Sequence, residues 1–267
     1  MYYPELCLEI LLESEAEQYD VLIVDEGQDL MRSAYLDVFD ALLRGGIKSG
    51  RWRLFYDPNQ DIYRGQQPKA LETLMDAQPT QFRLFTNCRN TQQIALTTSM
   101  LAGTSCDETL VVDGPDVKKQ WYLNPAQQIR QVSNYINYLL GAGVSPSAIA
   151  ILSRRRLQNS AMGLGLRGVP LQLLDEGQGT RTPNKNDRYL RFSTVSAFKG
   201  LESDVVILAD VDDLTSDESR EILYVGTSRA RTLLAIFLSE AVRRDYDRCA
   251  FQFGERLSGT ALQTDDL

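Results

Sequence analysis

Short apolar, β-branched runs alternate with helix-like segments along most of this chain, and that alternation constrains the fold more than any other feature. The predicted strands are Val21–Val24, Trp52–Tyr56, Phe82–Phe85, Gln120–Leu123, Ala148–Leu152, Leu171–Leu174, Phe192–Thr194, Val205–Ala209 and Leu234–Leu238. Between them lie helical patterns at Ser33–Leu43, Pro68–Asp76, Thr91–Leu101, Pro125–Leu140, Leu157–Leu166 and Asp217–Arg231. Strand–helix alternation predicts an α/β fold with parallel sheets covered on both faces. Ligands of such sheets gather at the carboxyl ends of the strands. At 267 residues the chain is long enough for one large domain or two ordinary ones.

The stretch VLIVDEGQDL, Val21 to Leu30, puts Asp25, Glu26 and Asp29 at the end of a predicted buried strand. An Asp in that position suits Mg²⁺ beside nucleotide phosphates, and a neighbouring Glu suits the orientation or deprotonation of water. The plain alternative is a solvated turn or the acidic start of the next helix.

Composition removes several chemistries. There is no histidine, so Ser-His-Asp and Cys-His nucleophile systems are excluded. Cys7, Cys88, Cys106 and Cys249 are scattered without a CxxC pair, which disfavours structural zinc and predicts a reduced, cytoplasmic setting. Residues 1–17 are acidic and lack the basic start of a signal peptide, and no apolar run approaches the roughly 18 residues of a membrane span. The net charge of −8 argues against non-specific DNA affinity by the chain as a whole but leaves room for a local basic face.

The acidic strand end has company. FYDPNQDIY (Phe55–Tyr63) repeats the design of an apolar strand followed by Asp57 and Gln60. TNCRN (Thr86–Asn90), FSTVSAFKGLESDVVIL (Phe192–Leu208) and ILYVGTSRARTLLAIFL (Ile222–Leu238) follow in order. Together they resemble motifs II to VI of the UvrD/Rep-type superfamily 1 DNA helicases, from about Val21 to Leu238.

In that family two RecA-like (P-loop NTPase) lobes clamp ATP between them. The resemblance implies a partial first lobe at residues 1–87 and a complete second lobe at 88–267. It implies that Asp25 holds Mg²⁺, Glu26 is the base for water, and Gln28 and Gln60 sense the γ-phosphate. Arg89 and Arg229 would act as arginine fingers, and Glu202 would touch the ribose. A guanidinium suits the finger's task because it is planar, always charged and forked toward phosphate oxygens. Thr194, Ser196 and Lys199 would lie near the DNA backbone, and Tyr63 and Arg64 would contact the strand. Ordinary alternatives stand beside these roles: an exposed helix arginine for Arg229, a helix cap or a pair with Asp57 for Arg89, a helix end for Lys199–Gly200, and a loop aromatic for Tyr63.

Some positions depart from the pattern. Cys88 replaces the tyrosine that stacks on adenine, Ser196 replaces a histidine, Tyr56 replaces a glycine, and Gly65 replaces the tryptophan that stacks on DNA bases. A phosphate-cradling loop reads GxxxxGK[ST] between a strand and a helix. The nearest segment, RGGIKSG (Arg44–Gly50), has Leu42 and Ile47 where glycines are required, and reads as a plain turn. The chain is therefore expected to begin inside the first lobe.

Three functions remain in view. The first is the C-terminal part of an ATP-dependent DNA helicase or translocase, inactive without its P-loop half. The second is one chain of a split helicase whose partner brings that loop. The third is a non-catalytic module that binds protein or DNA. ATP and Mg²⁺ are the implied cofactors and DNA the implied partner, with no membrane.

Overall fold

The structure is a computed structural model; it describes residues 3–14, 17–60, 68–105, 108–110, 113–166, 171–173 and 189–264. It divides into two compact units, Met1–Leu84 and Phe85–Leu267. Tyr63, Arg64 and Gly65 lie outside the described residues.

The first unit begins with helix α1 (Tyr3–Glu13), strand β1 (Val21–Val24), helices α2 (Ser33–Leu42) and α3 (Gly46–Ser49), strand β2 (Arg51–Leu54) and helix α4 (Pro68–Asp76). β1 and β2 pair in parallel, Val21 opposite Arg51 and Val24 opposite Leu54. Alternation along each strand divides the side chains between two faces. One face sends Trp52 and Leu54 against a core of Met31, Leu36, Ile47, Ala70 and Leu74. The other carries Val21 and Ile23, and Ile23 is 67% exposed. RGGIKSG forms the α3 turn: Asp40 accepts from the Ile47 N–H at 2.7 Å, and the indole of Trp52 donates to the Ile47 carbonyl.

The second unit continues with β3 (Thr86–Asn87), α5 (Gln92–Ala102), β4 (Glu108–Thr109), β5 (Lys118–Tyr122), α6 (Pro125–Gly141), β6 (Ile149–Ser153), β7 (Leu171–Leu173), β8 (Leu190–Thr194), β9 (Ser203–Val211), α7 (Asp217–Ser228), β10 (Ala230–Ser239) and α8 (Arg243–Thr264). Six strands form an all-parallel sheet in the order β5-β10-β9-β6-β8-β7. Ile149, Ile151, Val205, Ile207, Ala235 and Phe237 face α6, whose Val132, Ile136 and Leu139 complete that half of the core. Ala150, Leu152, Val206, Leu208, Leu234 and Ile236 alternate with them and are also buried. Helices α5 and α7 pack on each other and on β10. Burial on both faces explains why these strands read as unbroken apolar runs. At Gly226 a Cβ would lie 3.1 Å from Leu208 and 3.2 Å from Val195, so glycine lets α7 approach the sheet closely.

The mixed α/β architecture with parallel sheets agrees with the alternation in the sequence. Three elements differ from expectation. Strand β1, read from the sequence as buried, leaves Val21 and Ile23 exposed because its second face meets no covering layer among the described residues. Phe82–Phe85 forms no strand, and Phe82 and Leu84 are exposed; the short strand comes later, at Thr86–Asn87, where Thr86 and Asn87 find partners in Glu108 and Thr109. Leu157–Leu166 is not one helix but two 3₁₀ turns, Leu157–Asn159 and Ala161–Leu164. Ser160 separates them, because its hydroxyl donates to the buried Asp210 carboxylate and accepts from the Met162 N–H. The helices α1 and α8 are unforeseen.

Candidate nucleotide and DNA site residues

In the first unit, the residues of motifs II and III form one hydrogen-bonded block. Strand β1 ends at Val24, and Glu26 follows with left-handed dihedrals (φ 52°, ψ 40°). That conformation is uncommon for a residue with a Cβ. Asp25, exposed at the strand end, accepts from the Glu26 N–H at 2.9 Å. Gln28 is fully buried: its Nε2 donates to the Glu26 carboxylate, and its Oε1 accepts from the Asp57 N–H at 3.0 Å. Asp57 in turn accepts from the Gln60 amide at 2.7 Å and from the Asn59 N–H at 2.9 Å. Backbone bonds from Gly27 to Phe55 and from Phe55 to Val24 lock the two strand ends together. Both ends of the Gln28 amide are thus engaged within the protein, and the arrangement fixes where the Glu26 carboxylate points.

In the second unit, motifs IV, V and VI meet at the amino ends of β9 and β10. Asn90, buried, donates through Nδ2 to the carbonyls of Ser228 (2.9 Å) and Ala230 (2.6 Å). Thr98 and Thr227 share a hydroxyl–hydroxyl bond of 2.8 Å. The Ser203 N–H donates to the Arg229 carbonyl at 3.0 Å. On this frame Glu202 lies 3.4 Å from Arg89 and 3.4 Å from Arg231. Arg89 therefore pairs with Glu202. Its side chain is 45% exposed, whereas Arg229 is only 2% exposed and donates from Nε to the Val225 carbonyl.

Thr194, Ser196 and Lys199 lie at the other end of the sheet, on the turn that leaves β8. The Val195 N–H donates to the Ser153 carbonyl at 2.9 Å, and the Thr194 hydroxyl accepts from the Ala197 N–H. Gly200 (φ 80°) closes this turn in the left-handed conformation that glycine adopts without a Cβ penalty. The motif V segment thus spans the sheet, with Thr194 at the carboxyl ends and Glu202 at the amino ends. Of the predicted site residues, Asp25 and Thr194 stand at carboxyl strand ends, whereas Glu202, Arg89 and Arg229 gather at the amino ends of β9 and β10.

Sequence reasoning missed Asn90 as a tie, Arg231 as the second partner of Glu202, and a buried polar node at Asp210. Asp210 sits in the left-handed region (φ 57°) at an irregularity in the β9–β10 register. Its carboxylate accepts from Ser153 and Ser160 at 2.6 Å each and from the Ala161 N–H. Gln128, with its amide turned so that nitrogen faces the carboxylate, donates to Asp210 and accepts from its N–H. Burial, with the charges of Asp210 and Asp212, pushes the Tyr122 phenol well above its ordinary pKa. The signal was an Asp ending the apolar run VVILAD, the same pattern that drew notice at Asp25.

No group of three or more Asp, Glu, Cys or His side chains suited to a metal ion occurs among the described residues. A lone Asp25 carboxylate fits Mg²⁺ that takes its remaining ligands from water and phosphate, not a protein cage.

Residues 189–237 match the UvrD-like helicase C-terminal domain. This UvrD-like segment runs from β8 through the motif V turn, β9 and α7 into β10, and holds Thr194, Ser196, Lys199, Glu202 and Arg229. The motif resemblance to UvrD-type helicases is borne out there. A solved structure, the C-terminal domain of a possible DNA helicase from Lactobacillus plantarum WCFS1, is similar at 20% identity and a TM-score of 0.44, covering 59% of this chain and 93% of that one. No curated protein matches. No helix among the described residues is long and apolar enough to cross a membrane.

Proposed function

We propose that this chain is the C-terminal portion of an ATP-dependent DNA helicase or translocase, working with a P-loop-bearing half. The observation that carries the reading is the union of motifs IV, V and VI through Asn90, Ser203 and Glu202, within a unit that holds the UvrD-like match. Residues distant in sequence hold Arg89, Glu202 and Arg229 on one end of one sheet.

In this reading Asp25 helps to hold Mg²⁺ beside the phosphates, and the bound ion supplies charge neutralisation of the phosphoryl oxygens. Glu26 accepts a proton from the attacking water, with its carboxylate oriented by Gln28. Gln60, tied to Asp57, reports the state of the phosphates to the adjoining DNA-contacting loop. Arg89 exchanges Glu202 for phosphate oxygens, which frees Glu202 for a ribose hydroxyl. Arg229 is the second finger, and its burial makes a side-chain rearrangement part of the cycle. Thr194, Ser196 and Lys199 contact the DNA backbone, and Tyr63 with Arg64 adds a strand contact. The setting is cytoplasmic.

A second reading, a helicase split over two chains, draws on the bare face of β1. A two-stranded parallel sheet is marginal alone, and parallel sheets are normally covered on both sides. Exposed Val21 and Ile23 fit a surface that the P-loop half covers.

DNA-stimulated ATP hydrolysis tests these readings. The P-loop half is supplied joined to the chain or as a separate protein. Turnover when joined supports the helicase reading, and turnover with separate chains supports the split one. Turnover in neither leaves the third function, a non-catalytic binding module.

A further inference from the structure

From Val117 to Leu174 the sequence contains no Asp or Glu, although the whole chain has a net charge of −8. Its charges there are all positive, Lys118, Lys119 and Arg130 among them. The structure folds the first part of this acid-free stretch into edge strand β5 and helix α6. A groove with a volume of about 260 Å³ opens there, lined by Lys118, Gln120, Gln131, Asn134, Tyr135 and Tyr138.

The lining has a specific chemistry. Tyr135 and Tyr138 stack with ring centroids 6.3 Å apart and planes 14° from parallel. Tyr138 is 69% exposed, so its ring offers a π-surface to solvent. The Lys118 ammonium stands 5.1 Å from the Tyr135 ring centroid. Gln131 donates to the Trp121 carbonyl at 2.9 Å, while its buried Oε1 has no hydrogen-bond partner among the described residues. Such an unmet acceptor is rare in folded proteins and calls for a donor. No carboxylate lines the groove.

We propose that this groove is a second contact for single-stranded nucleic acid, in which one base stacks on Tyr138, the amides of Gln120 and Asn134 meet its edge, and Lys118 meets a phosphate. Stacking platforms with flanking cations are the general means of holding single strands, and they tolerate sequence because every base has a π-face. The volume falls below the roughly 300–1,000 Å³ of pockets that enclose whole small molecules, and suits one flat ring presented from a strand. The contact is separate from Thr194, Ser196 and Lys199. In the strand order β5 and β8 are four spacings apart, about 19 Å at 4.8 Å per strand.

The test uses the full chain, a fluorescein-labelled oligodeoxythymidylate read by anisotropy, and a 5-iododeoxyuridine oligonucleotide for photocrosslinking and peptide mapping. The proposal expects crosslinks at Tyr135 or Tyr138. Tyr138→Ala should weaken binding about tenfold, within the range measured for base–aromatic stacking, and Tyr138→Phe should change it less than about twofold. Lys118→Ala should lower the slope of log affinity against log salt by about 0.7, the loss of one phosphate contact. Absence of binding by the wild type, or binding indifferent to Tyr138→Ala, would overturn it. Crosslinks confined to residues 194–199 would overturn it too, while leaving the helicase reading intact.

Discussion

Gln28 accepts a hydrogen bond from the Asp57 N–H at 3.0 Å and donates to Glu26 from the same buried amide. One side chain therefore joins the end of β1 to the end of β2 and orients a carboxylate of proposed catalytic function. Gln28→Ala removes both hydrogen bonds of this buried amide and should destabilise the first unit by about 1–3 kcal/mol. Urea unfolding followed by Trp52 fluorescence measures this, and a change below about 0.5 kcal/mol, typical of surface substitutions, would contradict it.

Asn90 plays the matching role in the second unit. Asn90→Ala strands the carbonyls of Ser228 and Ala230 and loosens the junction of motifs IV and VI. The expected loss is about 1–3 kcal/mol in denaturant unfolding. Asn90→Asp should be at least as harmful, because it sets a carboxylate against two carbonyl oxygens.

The Asp210 node predicts a graded series. Asp210→Ala leaves Ser153, Ser160, Gln128 and the Ala161 N–H short of a partner and places a Cβ-bearing, non-bonding residue at φ 57°. It should cost about 3 kcal/mol or more, as expected when a buried polar network is broken. Asp210→Asn keeps one acceptor oxygen and tolerates the left-handed region, so it should cost less. Equal losses for the two variants would contradict this account of the node.

A pH dependence follows from Asp213. Hydrogen bonds from the Ser216 hydroxyl first, then the Thr215 N–H and the Ser219 hydroxyl, hold its carboxyl far below the ordinary aspartate value despite a smaller opposing effect of burial. The folded state therefore binds this proton less readily than the unfolded chain. The resulting stability is fully present above the unfolded pKa and is lost as pH falls through the folded one. Asp213→Asn should flatten the acid limb of the unfolding profile. Ser216→Ala should shift the Asp213 carboxyl resonance titration to higher pH, and would also weaken the cap on α7, where Ser216 accepts from the Ser219 N–H.

Much of the fold was legible because both faces of the large sheet are buried. The runs at Ile149–Leu152 and Val205–Ala209 are apolar at every position, and only a covered parallel strand needs that. The helical pattern beginning at Pro125 placed the start of α6 correctly, and the structure adds the cap, Asn124, which accepts from the Gln127 N–H. Phe82–Phe85 misled because apolar residues alone do not make a strand; one forms where a second segment pairs with the chain, as Glu108–Thr109 does with Thr86–Asn87. Leu157–Leu166 misled because the pull of Asp210 on Ser160, fifty residues away in sequence, is invisible to local periodicity. The site shows the same division. Asp25, Glu26, Arg89 and Glu202 stood out through their motifs, whereas Asn90 and Gln28 emerge as ties only once their distant backbone partners are known.

The central claim is that this chain carries part of a nucleotide site whose phosphate-cradling loop lies elsewhere. Calorimetric titration of the chain with Mg·ATP, beside the Asp25→Ala/Glu26→Gln variant, tests it most directly. The account predicts millimolar or absent binding, the same in both proteins. Micromolar binding that disappears in the variant would contradict it, because the chain would then hold nucleotide without a P-loop.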